Sequence, residues 1–134
     1  MTRKLLLIAC LLGMTAVGLG AFGAHILKKV LSEYHLQIFE TGVRYQFYHT
    51  FALIAAAFLG RYVGSRWAGI AGWLFLAGIV CFSGSLYLLA LSEVFGLETL
   101  APVLGPLTPL GGLLFMVGWL VLFRAAFDYK GSKR

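Results

Sequence analysis

The chain has 134 residues, of which 60% are hydrophobic and 12% are charged. Because about a quarter of the residues in soluble domains are charged, this composition excludes a soluble protein and indicates an integral membrane protein. The formal net charge of +6 does not indicate nucleic acid as a partner, since the basic residues lie at the ends of apolar segments with no soluble surface around them.

Four apolar segments are candidates for membrane spans: residues 5–24, 43–59, 67–91 and 107–127. A helix of about 20 residues crosses the hydrocarbon core. The segments lack strand-like alternation, and a small membrane barrel needs about eight strands, so helices are the only spanning solution. The sequence therefore predicts a single domain, residues 1–134, that is an all-α bundle of four transmembrane helices.

Three small residues of the first span, Ala16, Gly20 and Ala24, repeat every four residues. This spacing places them on one helix face, where small side chains let a second membrane helix approach closely. Arg3 and Lys4 resemble the start of a secretory signal, but three further spans favour an uncleaved first helix. We therefore expect the first span to remain in the bundle and to pack through its small face.

The segment after the first span, residues 26–38, has apolar residues near helical spacing and charged residues on its other side. This pattern predicts an amphipathic segment that lies on the outer membrane surface. We expect it to lead directly into the second span, with Gly42 as a bend.

The second span begins with a block of polar side chains, Arg44-Tyr-Gln-Phe-Tyr-His49. Unpaired polar groups are costly in hydrocarbon, so this block must be hydrogen-bonded, hydrated or at the interface. At 100° per residue the polar face covers an arc of about 140°, and we expect it to point into the bundle. The face consists of Gln37, Thr41, Arg44, Tyr45, Tyr48, His49 and Ala52.

Arg44 also has a partner within its own helix. Glu40 precedes it by four residues, which places the two side chains one above the other on the helix surface. We expect a structural ion pair between Glu40 and Arg44 near the outer interface, where the long arginine stem can reach the headgroups.

The third span contributes Ser83, Ser85 and Tyr87 to its outer half, the same predicted depth as the polar block. Ala77, Cys81 and Ser85 repeat every four residues and predict a second small face for helix packing.

Three prolines, Pro102, Pro106 and Pro109, mark the start of the fourth span. They predict a partly extended start within the outer leaflet, which would bring Thr108 close to the polar block. We therefore predict one pocket for a ligand in the outer leaflet. Its candidate residues are His25, Arg44, Tyr45, Tyr48, His49, Ser83, Ser85, Tyr87 and Thr108.

The basic residues predict the topology. Eight of them fall on one side of the predicted bundle, namely Arg3, Lys4, Arg61, Arg66, Arg124, Lys130, Lys133 and Arg134, and three on the other, Lys28, Lys29 and Arg44. An excess of basic residues marks the cytoplasmic side, so both termini are predicted to be cytoplasmic. The basic face is expected to contact anionic lipid there.

Four short blocks of sequence are spread over all four predicted spans. They are Gly20-Ala-Phe-Gly-Ala-His25, Thr41-Gly-Val-Arg-Tyr-Gln-Phe-Tyr-His49, Phe82-Ser-Gly-Ser-Leu-Tyr87, and Leu107-Thr-Pro-Leu-Gly-Gly112 followed by Gly118-Trp119. These blocks resemble the signature blocks of the YgdD-like family of small inner-membrane proteins, which is classed as a domain of unknown function. The resemblance implies a helical membrane fold in the bacterial inner membrane, and it implies no activity.

Two metal or redox hypotheses follow from individual residues. His25 and His49 are predicted at similar depth in a four-helix bundle, so they are candidate ligands for haem or a transition metal, although no cofactor is expected on balance. Cys10 and Cys81 lie inside predicted spans, where they act as small packing residues without a redox role.

The types and positions of the polar residues bear on whether the protein is an enzyme, a transporter or a binding protein. The chain offers no carboxylate pair and no Ser/His/Asp set, so we expect no enzymatic activity. Intramembrane ionisable groups favour a proton or solute path, but the inner halves of the spans are almost wholly apolar. We predict a non-enzymatic accessory, assembly or small-ligand-binding protein, with a membrane-protein partner or a second copy as possible associates; transport and haem binding are the alternatives.

Overall fold

The computed structural model of the chain describes residues 2–96 and 98–129, and within them it contains helices and turns but no strand. The α-helices are α1 (Thr2–His25), α2 (Glu33–Val63), α3 (Arg66–Gly78), α4 (Gly84–Phe95) and α5 (Ala101–Ala126). A π-helical turn, Ile79–Ser83, joins α3 to α4 without a break. The all-helical expectation is confirmed, while Lys130, Lys133 and Arg134 of the predicted basic face lie outside the described residues.

Three helical stretches are long and apolar enough to cross a membrane: Thr2–Lys29, Arg66–Ser92 and Ala101–Ala126. The second helix, α2, is the longest at 31 residues, or about 46 Å at 1.5 Å per residue. Its composition is more polar than that of the other three, because it contains the Arg44–His49 block. Length and composition therefore identify three candidate spans. The fourth long helix, α2, packs among them but is not one of the three.

The central element of the bundle is α2. It packs against α1 on one side and against α3, the π turn and α4 on the other, whereas α5 packs mainly against α3, the π turn and α4. Neighbouring helices are antiparallel: Gly13 faces Thr50 across the α1–α2 contact, and Gly20 faces Val43 further along. Within the described residues α1 and α5 do not touch, so they lie on opposite sides of the other helices.

Glycines set how closely these helices approach. A Cβ atom at Gly42 would lie 2.8 Å from the Tyr87 ring, and one at Gly118 would lie 2.8 Å from the Phe75 ring. The expectation that Gly42 bends the chain is therefore wrong, because α2 continues through it without interruption and uses it to seat Tyr87. In lipid, helix association depends on such close van der Waals contact.

The small face of α1 differs in part from the predicted one. Ala16 is buried and Gly20 lies against Val43, as the repeat suggested, but Ala24 is exposed. The buried small residues are Ala9, Ala16 and Gly23, at seven-residue spacing. A seven-residue repeat follows a partner helix over its whole length, whereas a four-residue repeat drifts around the helix axis, which explains why Ala24 leaves the contact.

The connection between α1 and α2 is shorter than the predicted amphipathic segment. A 3₁₀ turn, Leu27–Lys29, is followed by Ser32, whose hydroxyl accepts a hydrogen bond from the His35 backbone N–H and caps α2. Residues 33–38 are therefore the first turns of α2 and not a separate surface segment. Leu27 and Leu31 are buried against Phe39 and Ala90, so their apolar side contacts protein.

The start of α5 is helical, which corrects the expectation of an extended segment. Pro102 lies in the first turn, where the missing N–H costs nothing, and Pro106 and Pro109 lie inside the helix. Proline is tolerated in membrane helices when neighbouring groups satisfy the freed carbonyls. The carbonyls that lose their N–H partner here are those of Pro102 and Gly105, four residues before Pro106 and Pro109, whereas the Thr108 hydroxyl donates to the Leu104 carbonyl at 3.4 Å.

The end of the bundle that carries both termini is held by a polar cluster. Ser65, between α2 and α3, donates a hydrogen bond of 2.6 Å to Asp128, and Arg124 contacts the same carboxylate at 3.0 Å. The Ser65 hydrogen bond and then the Arg124 guanidinium lower the pKa of Asp128. The guanidinium groups of Arg66 and Arg124 lie 5.1 and 5.9 Å from the Trp67 ring. The cluster therefore fixes the α2–α3 turn to the end of α5.

Gly111→Ala tests the contact between α5 and the π turn. A Cβ atom at Gly111 would lie 2.7 Å from Phe82 Cβ and still closer to the Phe82 backbone. We expect the variant to lower the free energy of unfolding by about 1–3 kcal/mol, as overpacking does. Heat or denaturant unfolding in detergent measures this.

Gly105→Ala is the matched control on the same helix. No atom lies within 4 Å of an added Cβ at Gly105, and alanine is the better helix former by roughly 1 kcal/mol. This variant should be neutral or slightly stabilising. Equal stability of the two variants would contradict the tight α5 contact.

Candidate functional site

A layer of polar side chains separates two apolar clusters of the bundle. One cluster lies toward the termini and contains Leu5, Leu53 and Phe75, and the other lies toward the α1–α2 turn and contains Leu27 and Phe39. We call the polar side chains between them the central polar layer. Its members are Thr15, Gln46, His49, Ser85, Tyr87, Thr108 and Trp119.

Gln46 connects three helices within this layer. Its amide nitrogen donates to the Leu12 carbonyl at 2.8 Å and to the Thr15 hydroxyl at 2.9 Å, both on α1. Its amide oxygen accepts a hydrogen bond of 2.8 Å from the Tyr87 hydroxyl on α4. Because a backbone carbonyl accepts and never donates, the orientation of the amide is determined by chemistry. Both amide hydrogens and the oxygen are therefore paired.

His49 connects α2 to α5 through Trp119. The Trp119 indole N–H donates to His49 Nε2 at 3.3 Å, and His49 Nδ1 lies 2.9 Å from the Tyr45 carbonyl. Indole N–H groups only donate and carbonyls only accept, so this arrangement requires the neutral imidazole with its proton on Nδ1. The imidazole also stacks on Phe115, with ring centroids 3.4 Å apart and planes 7° apart.

A cleft of about 670 Å³ opens beside this pair, between α2 and α5. Its walls are mostly aromatic or apolar, and α5 presents little side-chain bulk at Pro109 and Gly112. The lining residues are Tyr45, His49, Phe82, Pro109, Gly112, Leu113, Phe115, Met116 and Trp119. The Tyr45 ring lies 4.6 Å from the Phe82 ring. The Tyr45 hydroxyl has no hydrogen-bond partner among the described residues, so one donor is available at the cleft.

The serines of the α3–α4 helix have different environments. Ser85 and Thr108 share a hydrogen bond of 2.7 Å that joins α4 to α5. Ser83, in the π turn, is fully buried, and its hydroxyl has no partner within the described part of the chain. The π turn presents Phe82 to the cleft, in agreement with the tendency of such turns to occur at functional positions.

The predicted polar face of α2 is not its buried face. Arg44, Tyr45 and Tyr48 are exposed, whereas Gln46 and His49 are buried. The centre of the buried face lies about 100° around the helix from the centre of the predicted arc, and the two overlap at His49 and Ala52. The small residues of α2 determine this orientation, because the neighbouring helices approach where side chains are absent or short, and the large amphipathic side chains remain outside. The predicted single pocket is therefore divided among several sites.

The predicted ion pair between Glu40 and Arg44 is not formed. Among the described residues, no acidic oxygen lies within 4.0 Å of the Arg44 guanidinium, and Arg124–Asp128 is the pair that the structure shows. Both side chains are exposed and line a groove of about 370 Å³ between α1 and α2. We call this the α1–α2 groove; Gly20, Gly23, Phe39, Val43, Phe47 and Tyr48 complete its lining.

The two histidines proposed as metal or haem ligands lie far apart. His25 is exposed at the end of α1, while His49 lies one residue before Thr50, which faces Gly13. Twelve residues of α1 separate these levels, or about 18 Å. Two imidazoles that share a metal ion lie at about 2 Å from it, so the hypothesis of joint ligation by His25 and His49 is wrong. The described residues contain no group of three or more His, Cys, Asp or Glu side chains arranged for a metal.

The sequence interpretation missed three residues that organise the layer. Thr15 is an isolated hydrogen-bonding residue within an apolar helix, and Gln46 belongs to the polar block but lies off its predicted polar face. A polar side chain within a membrane helix needs a partner, which is a signal that sequence provides. Trp119 of the fourth sequence block lies beside His49. No sequence pattern distinguishes a tryptophan at the interface from one that donates to a buried histidine.

Gln46→Leu tests whether the amide holds the three helices together. The variant leaves the Leu12 carbonyl and the Tyr87 hydroxyl without their partner, and we expect it to lower the free energy of unfolding by about 1–2 kcal/mol. In a double-mutant cycle with Tyr87→Phe the two effects should be less than additive. Gln37→Leu, at an exposed position of the same helix, is the control; a loss as large there would contradict a specific role for Gln46.

The chain is similar to a family of membrane proteins. A family model described as "Protein of unknown function (DUF423)" matches residues 19–112. The "UPF0382 membrane protein YwdK" of Bacillus subtilis is 41% identical over 128 residues, which cover 95% of this chain and 98% of that protein. The "UPF0382 membrane protein SAB0533" of Staphylococcus aureus is 41% identical over 131 residues, which cover 96% of this chain and 99% of that protein. No solved structure matches the chain.

These findings agree with the membrane location predicted from composition. The relatives are bacterial membrane proteins by name, and three helices of this chain are long and apolar enough to span a bilayer. The protein is thus a multi-pass bacterial membrane protein. Because the family model covers more than half of the chain and the relatives align with nearly all of it, the chain belongs to the DUF423 family of proteins of unknown function.

Proposed function

We propose that this protein binds a small membrane-soluble ligand in the cleft between α2 and α5. The strongest support is the lining of this cleft of about 670 Å³, which combines aromatic side chains with the hydrogen-bond donor of the Tyr45 hydroxyl. Ligand sites are commonly clefts of roughly 300–1,000 Å³, lined by apolar and aromatic side chains with few polar groups. The proposed role is binding without catalysis.

The lining indicates the class of ligand. Tyr45 and Phe82 offer ring surfaces on which a planar group can stack, since aromatic pairs prefer offset or edge contacts. The Tyr45 hydroxyl can donate to a carbonyl oxygen, while the nitrogens of His49 are already paired with Tyr45 and Trp119. A planar ring that bears carbonyl oxygens and an apolar tail, as in the quinone class, matches these groups.

The proposal also covers the number of membrane spans, their orientation and the branch of the family. We infer four transmembrane helices with both termini in the cytoplasm, since α2 is long enough to cross and runs antiparallel to α1 and α3. The YgdD-like branch of the family is our assignment from the sequence blocks. An accessory or assembly role is compatible with ligand binding, whereas no contact among the residues that the structure describes favours transport.

Tyr45→Phe tests the ligand site. The probe is a short-chain naphthoquinone, and its binding is read from the fluorescence of Trp119 in a Trp67→Phe, Trp73→Phe background. Because the variant removes one hydrogen bond of about 1 kcal/mol, we expect the Kd of the probe to rise about fivefold.

Tyr48→Phe is the matched control, since Tyr48 lies on the same helix but lines the α1–α2 groove and not the cleft. The Kd of the naphthoquinone probe for Tyr48→Phe should equal its Kd for the parent protein. Absence of saturable quenching in the parent, or an equal loss in both variants, would reject the α2–α5 cleft as the site.

Thiol labelling tests the topology. In a background without Cys10 and Cys81, Lys28→Cys and Tyr62→Cys place single thiols at exposed positions near opposite ends of α2. A membrane-impermeant maleimide added to intact cells should label Lys28→Cys, and should label Tyr62→Cys only after permeabilisation. Labelling of both from the outside would show that α2 does not cross the membrane, and the reverse pattern would place the termini outside.

A further inference from the structure

The α1–α2 groove has an apolar floor and two charged groups at its wall. Gly20 and Gly23 belong to the last two turns of α1 and line the groove together with Val43 and Phe47. Glu40 and Arg44 flank this floor from α2, one helical turn apart. The groove therefore combines space for a chain of methylene groups with a pair of opposite charges.

The two charges are not satisfied by each other. Within the described residues, neither forms an ion pair within 4.0 Å, although their spacing in the helix would permit one. Side chains of a helix tilt toward its N-terminus, which for α2 is the membrane end that also carries Lys28 and Lys29. The Arg44 stem can therefore reach the headgroup region from its position in the groove. Each charge remains available to an outside partner.

We propose that the α1–α2 groove binds a zwitterionic phospholipid with a primary ammonium, of the phosphatidylethanolamine class. The lipid phosphate accepts hydrogen bonds from the Arg44 guanidinium, the lipid ammonium donates to the Glu40 carboxylate, and one acyl chain lies on the floor formed by Gly20, Gly23 and Phe47. The site is separate from the α2–α5 cleft and does not depend on the function proposed for it.

Charge complementarity favours this headgroup over others. An anionic lipid without a cation would pair with Arg44 but would be repelled by Glu40. A phosphatidylcholine headgroup carries a quaternary ammonium, which has no hydrogen to donate to the carboxylate. A primary ammonium separated from the phosphate by two carbons matches a pair of opposite side chains whose Cβ atoms are about 5–6 Å apart.

Native mass spectrometry of the detergent-solubilised protein tests the proposal. The probes are phosphatidylethanolamine, phosphatidylcholine and phosphatidylglycerol with identical acyl chains. We expect phosphatidylethanolamine to bind on the order of threefold more tightly than the other two, the range of an exposed ion pair. Glu40→Gln, which preserves side-chain shape at an exposed position, should abolish this preference, and Arg44→Gln should weaken all three lipids.

Glu33→Gln is the matched control, because Glu33 is exposed on α2 two turns before Glu40 and does not line the groove. It should retain the full preference for phosphatidylethanolamine. Equal affinity for the three lipids in the parent protein, or an unchanged preference in Glu40→Gln, would overturn the proposal. A different result would assign the groove to a second copy of the chain. In that case the protein would form a dimer that added lipid does not displace, and both Glu40→Gln and Arg44→Gln would dissociate the dimer.

Discussion

The Gln46 amide is the interaction on which the arrangement of the bundle depends. Lipid provides little hydrophobic drive for one membrane helix to bind another, whereas a buried amide without partners is costly there. Gln46 obtains its partners only when α1, α2 and α4 have the observed register, with Leu12, Thr15 and Tyr87 at one level. A shift of one helical turn in any of the three would leave both hydrogens or the oxygen of the amide unpaired. One side chain thereby selects the relative heights of three helices.

Close packing by small residues supplies the complementary constraint. Gly42 admits the Tyr87 ring that reaches Gln46, and Gly111 and Gly118 bring α5 against Phe82 and Phe75. These contacts place Trp119 within hydrogen-bond distance of His49. The cleft lies where α5 packs mainly against the α3–α4 helix and contacts α2 through Phe115 and Trp119, which stack on and donate to His49. The same side chains thus hold the bundle and form the wall of the candidate site.

Much of the fold was accessible to sequence reasoning, and less of the site. Hydropathy located the helices, and the Arg44–His49 block identified the helix that contributes Gln46 and His49 to the central polar layer. Helical periodicity states which residues share a face, but it does not state which face is buried. The polar arc of α2 was predicted to face the interior because polar groups are costly in lipid, yet Arg44 and Tyr48 line the α1–α2 groove and Tyr45 lines the α2–α5 cleft. Proline likewise suggested an interrupted α5, whereas α5 is helical through Pro106 and Pro109.

Composition and pattern by themselves determined that the chain is helical and lies in a membrane, because apolar segments of this length have no other stable structure in lipid. They also determined where its polar groups are concentrated. Only the tertiary structure decided that these groups separate into the Gln46 network, the His49–Trp119 pair and the α1–α2 groove. The physical reason is that the rotation of each helix depends on contacts between residues distant in sequence, such as Gly42 with Tyr87 and Gly111 with Phe82. The Arg44–His49 block is therefore one segment of sequence that contributes to three different surroundings.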